Sequence, residues 1–324
     1  MNTLQKKRED SFTSFFKNQA LLIGLIVVFA FFSLTTDNFL SKSNFLLILQ
    51  SATIVGIAGC AMTLVLITGN MDLCMGATIT LVVLLSVDLH DKVGPLLAVI
   101  IAVAACLVVG LINGLLVGYL KVHSMIATLG MQTILSGIML LYTKGQLSWV
   151  NSPNSTWFKY FGRAKIVGIP VQVIILIVMV VVFEFILKRT TFGTKVCAVG
   201  GNALAVRYNG SDDRKIVLIC FVLSALMGAL AGLVMGSRTM KYQTEIAFGY
   251  EFDVISAAIL GGTSLSGGKG SVVKTLIGVL IITGLNNGFL MFGLPYYFQW
   301  VVQGLIILIM VFFDVLSMRK EGLA

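Results

Sequence analysis

Long apolar runs alternate with short polar intervals along the whole chain. The runs lie near residues 20–36, 44–68, 74–89, 94–119, 124–143, 168–187, 216–236, 250–265, 272–291 and 296–316. A helix needs about 20 apolar residues to cross the hydrocarbon core of a bilayer, and most of these runs come close to that length. Inside lipid the backbone must satisfy its own polar groups, and runs this long do so as helices. The expected fold is therefore all-α and polytopic, with about ten transmembrane segments. It forms one membrane domain over 1–324: a cytoplasmic N-terminus at 1–19, a first half at 20–187, a polar loop at 188–215, a second half at 216–317 and a cytoplasmic C-terminus at 318–324. The longest external interval, 144–167, which holds Trp149, Pro153 and Trp157, leaves five runs on each side, an odd number, and so gives two sets of opposite orientation, the inverted arrangement of many transporters.

Two of the runs are short and occupy matching places in the halves. Asn70, Met71, Asp72, Leu73, Cys74, Met75 and Gly76 lead into a run that ends early, at Asp88. Glu251, Phe252 and Asp253 lead into about ten apolar residues before Gly261 and Gly262, too few to cross a bilayer. Broken helices must hide their free backbone groups against protein or a watery cavity, so both segments mark a transport path. The acidic residues at their starts complement the positive end of the helix dipole. Capping is thus the structural role expected of Asp72, Glu251 and Asp253, and substrate contact the functional one.

The polar interval between the halves carries Lys188, Arg189, Lys195, Arg207, Arg214 and Lys215 against only Asp212 and Asp213. Such a bias marks a cytoplasmic loop. Asn202 is a good N-cap and Gly210 a good terminator, which predicts a short helix containing Ala203, Leu204, Ala205, Arg207 and Tyr208. Leu204 and Tyr208, four apart, share one face of it. An apolar tip among basic residues has the shape of a plug for a partner's groove; the plain alternative is an ordinary surface helix.

Composition changes this picture little and excludes much. Hydrophobic residues make up 57% of the 324, charged residues 11%, and a water-soluble globule is ruled out. The net charge of +9 suggests nucleic acid, but the basic residues sit between apolar runs, where topology explains them and nucleic acid does not. With both termini inside, 15 of the 23 Lys and Arg residues fall on the cytoplasmic side. Lys6, Lys7, Arg8 and Lys17 precede a first run with no obvious cleavage site after it, so it reads as a retained anchor. Five scattered cysteines, Cys60, Cys74, Cys106, Cys197 and Cys220, form neither a disulfide framework nor a metal site.

The run from Gly261 and Gly262 through Gly267 and Gly268 to Gly270 is not a phosphate loop. Thr263 stands where the first glycine of that motif belongs and Gly270 where its hydroxyl belongs. No cofactor is expected, and the glycines read as a sharp turn with tight backbone packing. No Asp, Glu, Lys or Arg occurs from Thr275 to Phe313 or from Ser43 to Met71, which weighs against an ion-coupled carrier. Among the polar residues within the runs, Asn113, Gln132, Asn286 and Asn287 are candidates to line a path for a neutral hydroxylated solute, and bonding between helices is their structural alternative. There is no catalytic constellation, and the chain is not expected to be an enzyme.

Three stretches resemble the permeases of bacterial ABC importers for ribose, xylose and related sugars, and the similarity covers nearly the whole chain. Thr68 to Gly76 matches the family pattern at Asp72, Leu73 and the flanking glycines and departs from it at Asn70, Met71, Cys74 and Met75. Ser124 stands where the family often has proline. Gly200 to Gly210 resembles the coupling helix that meets the ATPase. Tyr250 to Gly270 follows the family almost residue for residue. The resemblance implies a cytoplasmic ATPase that binds the ATP, an extracytoplasmic solute-binding protein, and a second permease chain as homodimer or heterodimer. It also implies a place in the bacterial cytoplasmic (inner) membrane and a sugar as cargo. A branched-chain amino acid or other small solute is the alternative within this class, and an ion-coupled secondary transporter the alternative outside it.

Overall fold

The apolar runs fold as helices. The structure, a computed structural model, describes residues 19, 21–151 and 157–320, so Lys6, Lys7, Arg8, Lys17 and Pro153 lie outside the described residues. The helices are α1 (Leu21–Thr35), then α2 (Lys42–Ile67), α3 (Met75–Asp88), α4 (His90–Val93), α5 (Pro95–Gly114), α6 (Ser124–Thr143), α7 (Trp157–Arg163), α8 (Val171–Arg189), α9 (Thr191–Tyr208), α10 (Asp213–Thr239), α11 (Tyr250–Leu260), α12 (Val272–Met291) and α13 (Tyr296–Lys320). Two-residue strands β1 (Ser148–Trp149), β2 (Lys165–Ile166), β3 (Ile169–Pro170) and β4 (Lys241–Tyr242) pair as β1 with β4 and β2 with β3, both antiparallel.

Six of the described helices are long and apolar enough to cross a membrane: α2, α5 with its extension to Tyr119, α6, α8, α10 and α12. Three apolar segments are shorter: α1, α3 and the Tyr297–Ile309 part of α13. The two runs read as broken are short in fact. At 1.5 Å per residue, the 14 residues of α3 span about 21 Å and the 11 of α11 about 17 Å, against a core of about 30 Å. The interval 188–215 departs from its expected loop form. Its first residues end α8, its last begin α10, and α9 occupies most of the rest, because Thr190 caps a new helix whose glycines Gly193 and Gly200 are held against neighbouring backbone.

α2 is the central helix: every residue from Ala52 to Ile67 is buried. A helix buried all round belongs in the middle of a bundle. α10, α8, α12 and α11 pack around it, and α3 lies against α10 and α5. Close approach depends on glycine where α5 crosses α10. A Cβ on Gly110 would meet the Ala225 Cβ at 2.4 Å, and one on Gly118 would meet the Arg214 carbonyl oxygen at 2.7 Å. A single π turn at Leu115–Tyr119 ends α5 and carries Gly118 into this contact. α11 and α12 touch in the same way, since a Cβ on Gly278 would lie 2.1 Å from the Ala257 carbonyl oxygen.

Polar contacts fix the register of the bundle. The Thr63 and Thr275 hydroxyls bond at 2.8 Å between α2 and α12. Asn44 and Asn287 exchange amide hydrogen bonds of 2.9 and 3.0 Å at the far end of the same pair. Glu184 of α8 accepts from the backbone N–H groups of Val272 and Val273 at 2.7 and 3.3 Å, so a neighbouring helix supplies the anion that the start of α12 needs. At the opposite end of the bundle α7 lies across α10. The Ser237 hydroxyl donates to the Phe158 carbonyl and accepts from Gly162 N–H, and Arg163 Nε donates to the Arg238 carbonyl at 2.8 Å. Trp149 and Trp157 are exposed beside it.

Gly278→Leu is expected to push a side chain into the Ala257 carbonyl and to destabilise the protein by about 1–3 kcal/mol. Thermal unfolding in detergent reads this as a lowered Tm. Gly130→Ala, whose new Cβ meets nothing within 4 Å, serves as the neutral control. Equal melting of both variants would mean that α11 and α12 do not pack as described.

Candidate functional site

α9 is two helices joined at a kink. Thr190 caps the first, accepting from Gly193 N–H at 3.2 Å. At Asn202 the backbone is extended (φ −161°, ψ 97°), and its side-chain oxygen accepts from Ala205 N–H at 3.0 Å. An extended residue whose oxygen takes the third N–H of the following turn is an N-cap, so a short helix starts afresh there. Gly210, with φ 76°, ends it in the left-handed conformation. Leu204 and Tyr208 stand 62% and 89% exposed, while Ala203 and Val206 turn inward. Ala205 is also exposed, between them.

Arg207, exposed beside the tip, is tied down below it. Its guanidinium grips the buried Asp213 carboxylate through Nε and through Nη2 at 2.9 Å, and Lys121 reaches the same carboxylate at 2.9 Å. Donating to the Asp213 carboxylate raises the Arg207 pKa above its usual value. One acidic residue thereby ties the short helix to the start of α10 and to the connection between α5 and α6.

The first half of α9 rests on backbone. A Cβ on Gly200 would fall 1.8 Å from the Ile67 carbonyl oxygen and 2.4 Å from the Gly268 nitrogen. Gly268 N–H donates to that same Ile67 oxygen at 2.8 Å. Gly267, with φ 89°, lies within 3.0 Å of the Gly69 nitrogen and the Gly200 Cα by the same measure. The end of α2, the start of the short helix and the glycine run after α11 therefore meet at one point. Within the run, Ser264 N–H bonds to the Lys269 carbonyl and Gly267 N–H to the Ser264 carbonyl, closing a turn. Gly261 sits against the Lys274 and Thr275 backbone, and Gly262 takes φ 82°.

The far end of α11 meets the start of α3. A Cβ on Gly76 would lie 2.1 Å from Glu251 Oε2 and 2.7 Å from the Ala247 carbonyl oxygen. Glu251 and Asp253 do not make the expected capping bonds. The cap position is Gly249, which has no side chain, and both acids fall inside the first turn. Glu251 instead takes Gln132 Nε2 at 3.3 Å, and Asp253 takes Gln303 Nε2 at 2.7 Å and Asn286 Nδ2 at 3.4 Å. Asp72, which is buried, accepts from Cys74 N–H at 3.1 Å and from the Ser224 hydroxyl at 2.7 Å. The chain entering α3 is held by α6: Met71 N–H donates to Ser124 and Leu73 N–H to Thr128, each at 3.1 Å.

Two cavities flank the start of α11. One, of about 380 Å³, is lined by Asp253, Asn286, Asn287, Gln299, Trp300 and Gln303 among others. The second, of about 290 Å³, is lined by Gly76, Thr80, Gln132, Tyr242, Phe248 and Glu251 among others. Phe248 lines both, its ring edge-on to Trp300 with centroids 5.6 Å apart. Of the four candidates for the path, Asn286 and Asn287 line the first cavity and Gln132 the second. Asn287 is already engaged with Asn44, and Asn113 is buried in α5 and lines neither. Tyr242, Phe248 and Trp300 gave no sequence signal, since only folding brings the 242–248 segment and α13 beside α11. Among the described residues no three of His, Cys, Asp and Glu come together to hold a metal.

A family model described as a branched-chain amino acid transport system / permease component matches residues 44–311. The ribose import permease protein of Escherichia coli (strain K12) is 36% identical over 300 residues, covering 91% of this chain and 93% of the relative. The ribose import permease protein of Bacillus subtilis (strain 168) is 37% identical over 293 residues, covering 90% and 91%. The L-arabinose transport system permease protein of Escherichia coli (strain K12) is 30% identical over 315 residues, covering 95% and 93%. No solved structure matches the chain.

Gly200→Ala is expected to part α9 from the end of α2 and break the Gly268–Ile67 hydrogen bond. Hydrogen exchange measured in detergent then speeds up at least tenfold at the Gly268 amide, given about 1.4 kcal/mol per decade and a bond in direct contact with the intrusion. Unchanged protection of that amide would contradict the three-way contact.

Proposed function

The chain belongs to the branched-chain amino acid transport system / permease component family, and on that premise we propose that it is the membrane-spanning subunit of an ATP-driven importer whose cargo is a sugar. The cargo follows the ribose and L-arabinose permeases that it resembles over nine-tenths or more of its length. The six long helices, the three shorter apolar ones and α11 make ten segments in two inverted halves, with α3 and α11 as half-crossings. The α9 end of the bundle and both termini face the cytoplasm of a bacterial cell, and the α7 end faces outward, where a solute-binding protein delivers the sugar. A second permease chain completes the channel, and ATP is hydrolysed in a separate ATPase.

The observation that carries this reading is the short helix from Ala203 to Tyr208. It is capped at both ends, rooted by Arg207 on Asp213, and exposes Leu204 and Tyr208 on one face. In water such a tip has no use of its own; in a groove of the ATPase it buries two large side chains. Movement of the ATPase is passed through Gly200 to Gly268 and the end of α2, and from there to α11. α11 is short enough to move as one piece. Its other end carries Glu251 and Asp253 between the two cavities, so tilting it alters both cavity walls at once.

Tyr208→Asp is expected to cut ATP-dependent sugar uptake at least about tenfold, as loss of an aromatic anchor at an interface does. The amount of protein inserted in the membrane stays the same. Full uptake by this variant in vesicles holding the ATPase and the binding protein would overturn the docking role. Uptake by the wild-type chain alone, driven by a proton or sodium gradient, would overturn the ATP-driven reading itself.

A further inference from the structure

The smaller cavity has two unpaired buried oxygens in its lining residues. Glu251 and Tyr242 are each 1% exposed, and neither Glu251 Oε2 nor the Tyr242 hydroxyl has a hydrogen-bond partner among the described residues. Both oxygens are closed off from the cavity as it stands, and burying a polar oxygen without a partner costs free energy, so a small turn of either side chain toward the cavity gains a partner there. Nearby hydroxyls add acceptors. Thr80 donates to the Gly76 carbonyl at 2.9 Å and Thr133 to the Leu129 carbonyl at 3.0 Å, which spends each proton on the residue's own helix and leaves the oxygen lone pairs. Ala77, Met139, Leu140 and Phe248 supply apolar wall between these groups.

A lining rich in acceptors, interrupted by apolar surface, suits a ligand with many O–H donors and an apolar C–H face. The volume of about 290 Å³ sits at the small end of ligand cavities, which suits one small ring. The cavity lies between α3, α6 and the 240–249 segment. That segment is arched by three left-handed residues, Met240 (φ 55°), Glu245 (φ 60°) and Gly249 (φ 86°), and it is pinned at one end by the pairing of Tyr242 with Ser148. On α6, Thr133 and Gly137 are exposed at the mouth.

We propose that this cavity binds one neutral, monosaccharide-sized polyol, whose hydroxyls pair with Glu251 and Tyr242. The proposal rests on the sugar reading above and goes beyond it by naming the site and the residues that hold the ligand. Gly76 belongs to the site by leaving the carboxylate room, and Gln132 by fixing its other oxygen. Phe248 separates this cavity from the one lined by Asp253 and Gln303, so a ligand leaving it inward passes that ring.

The test is equilibrium binding of radiolabelled D-ribose and L-arabinose to the purified chain in lipid nanodiscs, beside uptake in vesicles with its ATPase and binding protein. Tyr242→Phe and Glu251→Gln are each expected to raise the Kd about tenfold, the loss of one buried polar contact. Because Glu251→Gln alters a buried acid, Thr133→Leu is made as well. It lies on an exposed helix face, leaves the fold intact, and weakens binding to a similar extent by filling the mouth. A wild-type chain that imports a sugar while all three variants bind it with unchanged Kd overturns the site and leaves the sugar reading standing. A wild-type chain that neither imports nor binds either sugar overturns both.

Discussion

The carbonyl oxygen of Ile67 is where the molecule is held together. It ends the buried central helix, accepts the amide of Gly268, and lies so close to Gly200 that no side chain fits between. In an apolar interior an unpaired carbonyl is costly, by several kcal/mol on scales where nothing else can bond it. The end of α2 therefore cannot be exposed or loosely covered. Two glycine segments from distant parts of the chain close over it, and the contact is of backbone with backbone, which has no rotamers to absorb movement. Whatever displaces α9 displaces the glycine run.

The same constraint explains the two half-length helices. A helix that begins inside the bundle leaves N–H groups with no partner in its own chain, and lipid offers none. Around α3 the protein supplies partners from α6 and from Asp72, so Met71, Leu73 and Cys74 are each bonded. Around α11 the partners come from its own approach, since Gly249 has no side chain with which to cap: Tyr250 N–H donates to the Ala247 carbonyl, and Phe252 and Asp253 N–H to the Gly249 carbonyl. The acidic side chains there are turned to glutamine and asparagine neighbours instead. One broken helix is thus anchored at its start by side chains of other helices, and the other by its own backbone with cavities beside its first turn, an asymmetry between segments that the sequence presents as a matched pair.

What could be read from the sequence was what adjacent residues decide. Apolar runs give helices because burial acts residue by residue, and Asn202 and Gly210 fix a helix start and stop because both act over a single turn. The missing information was of two kinds. Asn44 meets Asn287, Gln303 meets Asp253, and Glu184 meets the start of α12 only after folding, and an asparagine or a glutamate within an apolar run does not say which helix it will face. Glycine carries the opposite difficulty. Gly200 and Gly130 look alike in sequence, yet one touches backbone from two other segments and the other touches nothing.

The positions of these groups decide how a push at the surface can reach the interior. A force applied to Tyr208 could be lost in bending of α9 at Asn202, where the helix is already kinked. Two contacts prevent that. Arg207 holds the short helix to Asp213 on one side, with Lys121 sharing the carboxylate, and Gly200 holds the preceding residues to Ile67 and Gly268 on the other. With the kink braced on both flanks, the stiff route runs through the glycine run into α11. That helix is bounded by glycines at both ends, Gly249 and Gly261, and its side toward α12 is smooth at Gly278. A rigid rod with a glycine at each end and a smooth flank can tilt without breaking its own hydrogen bonds. The cavities beside Glu251 and Asp253 would change shape in response.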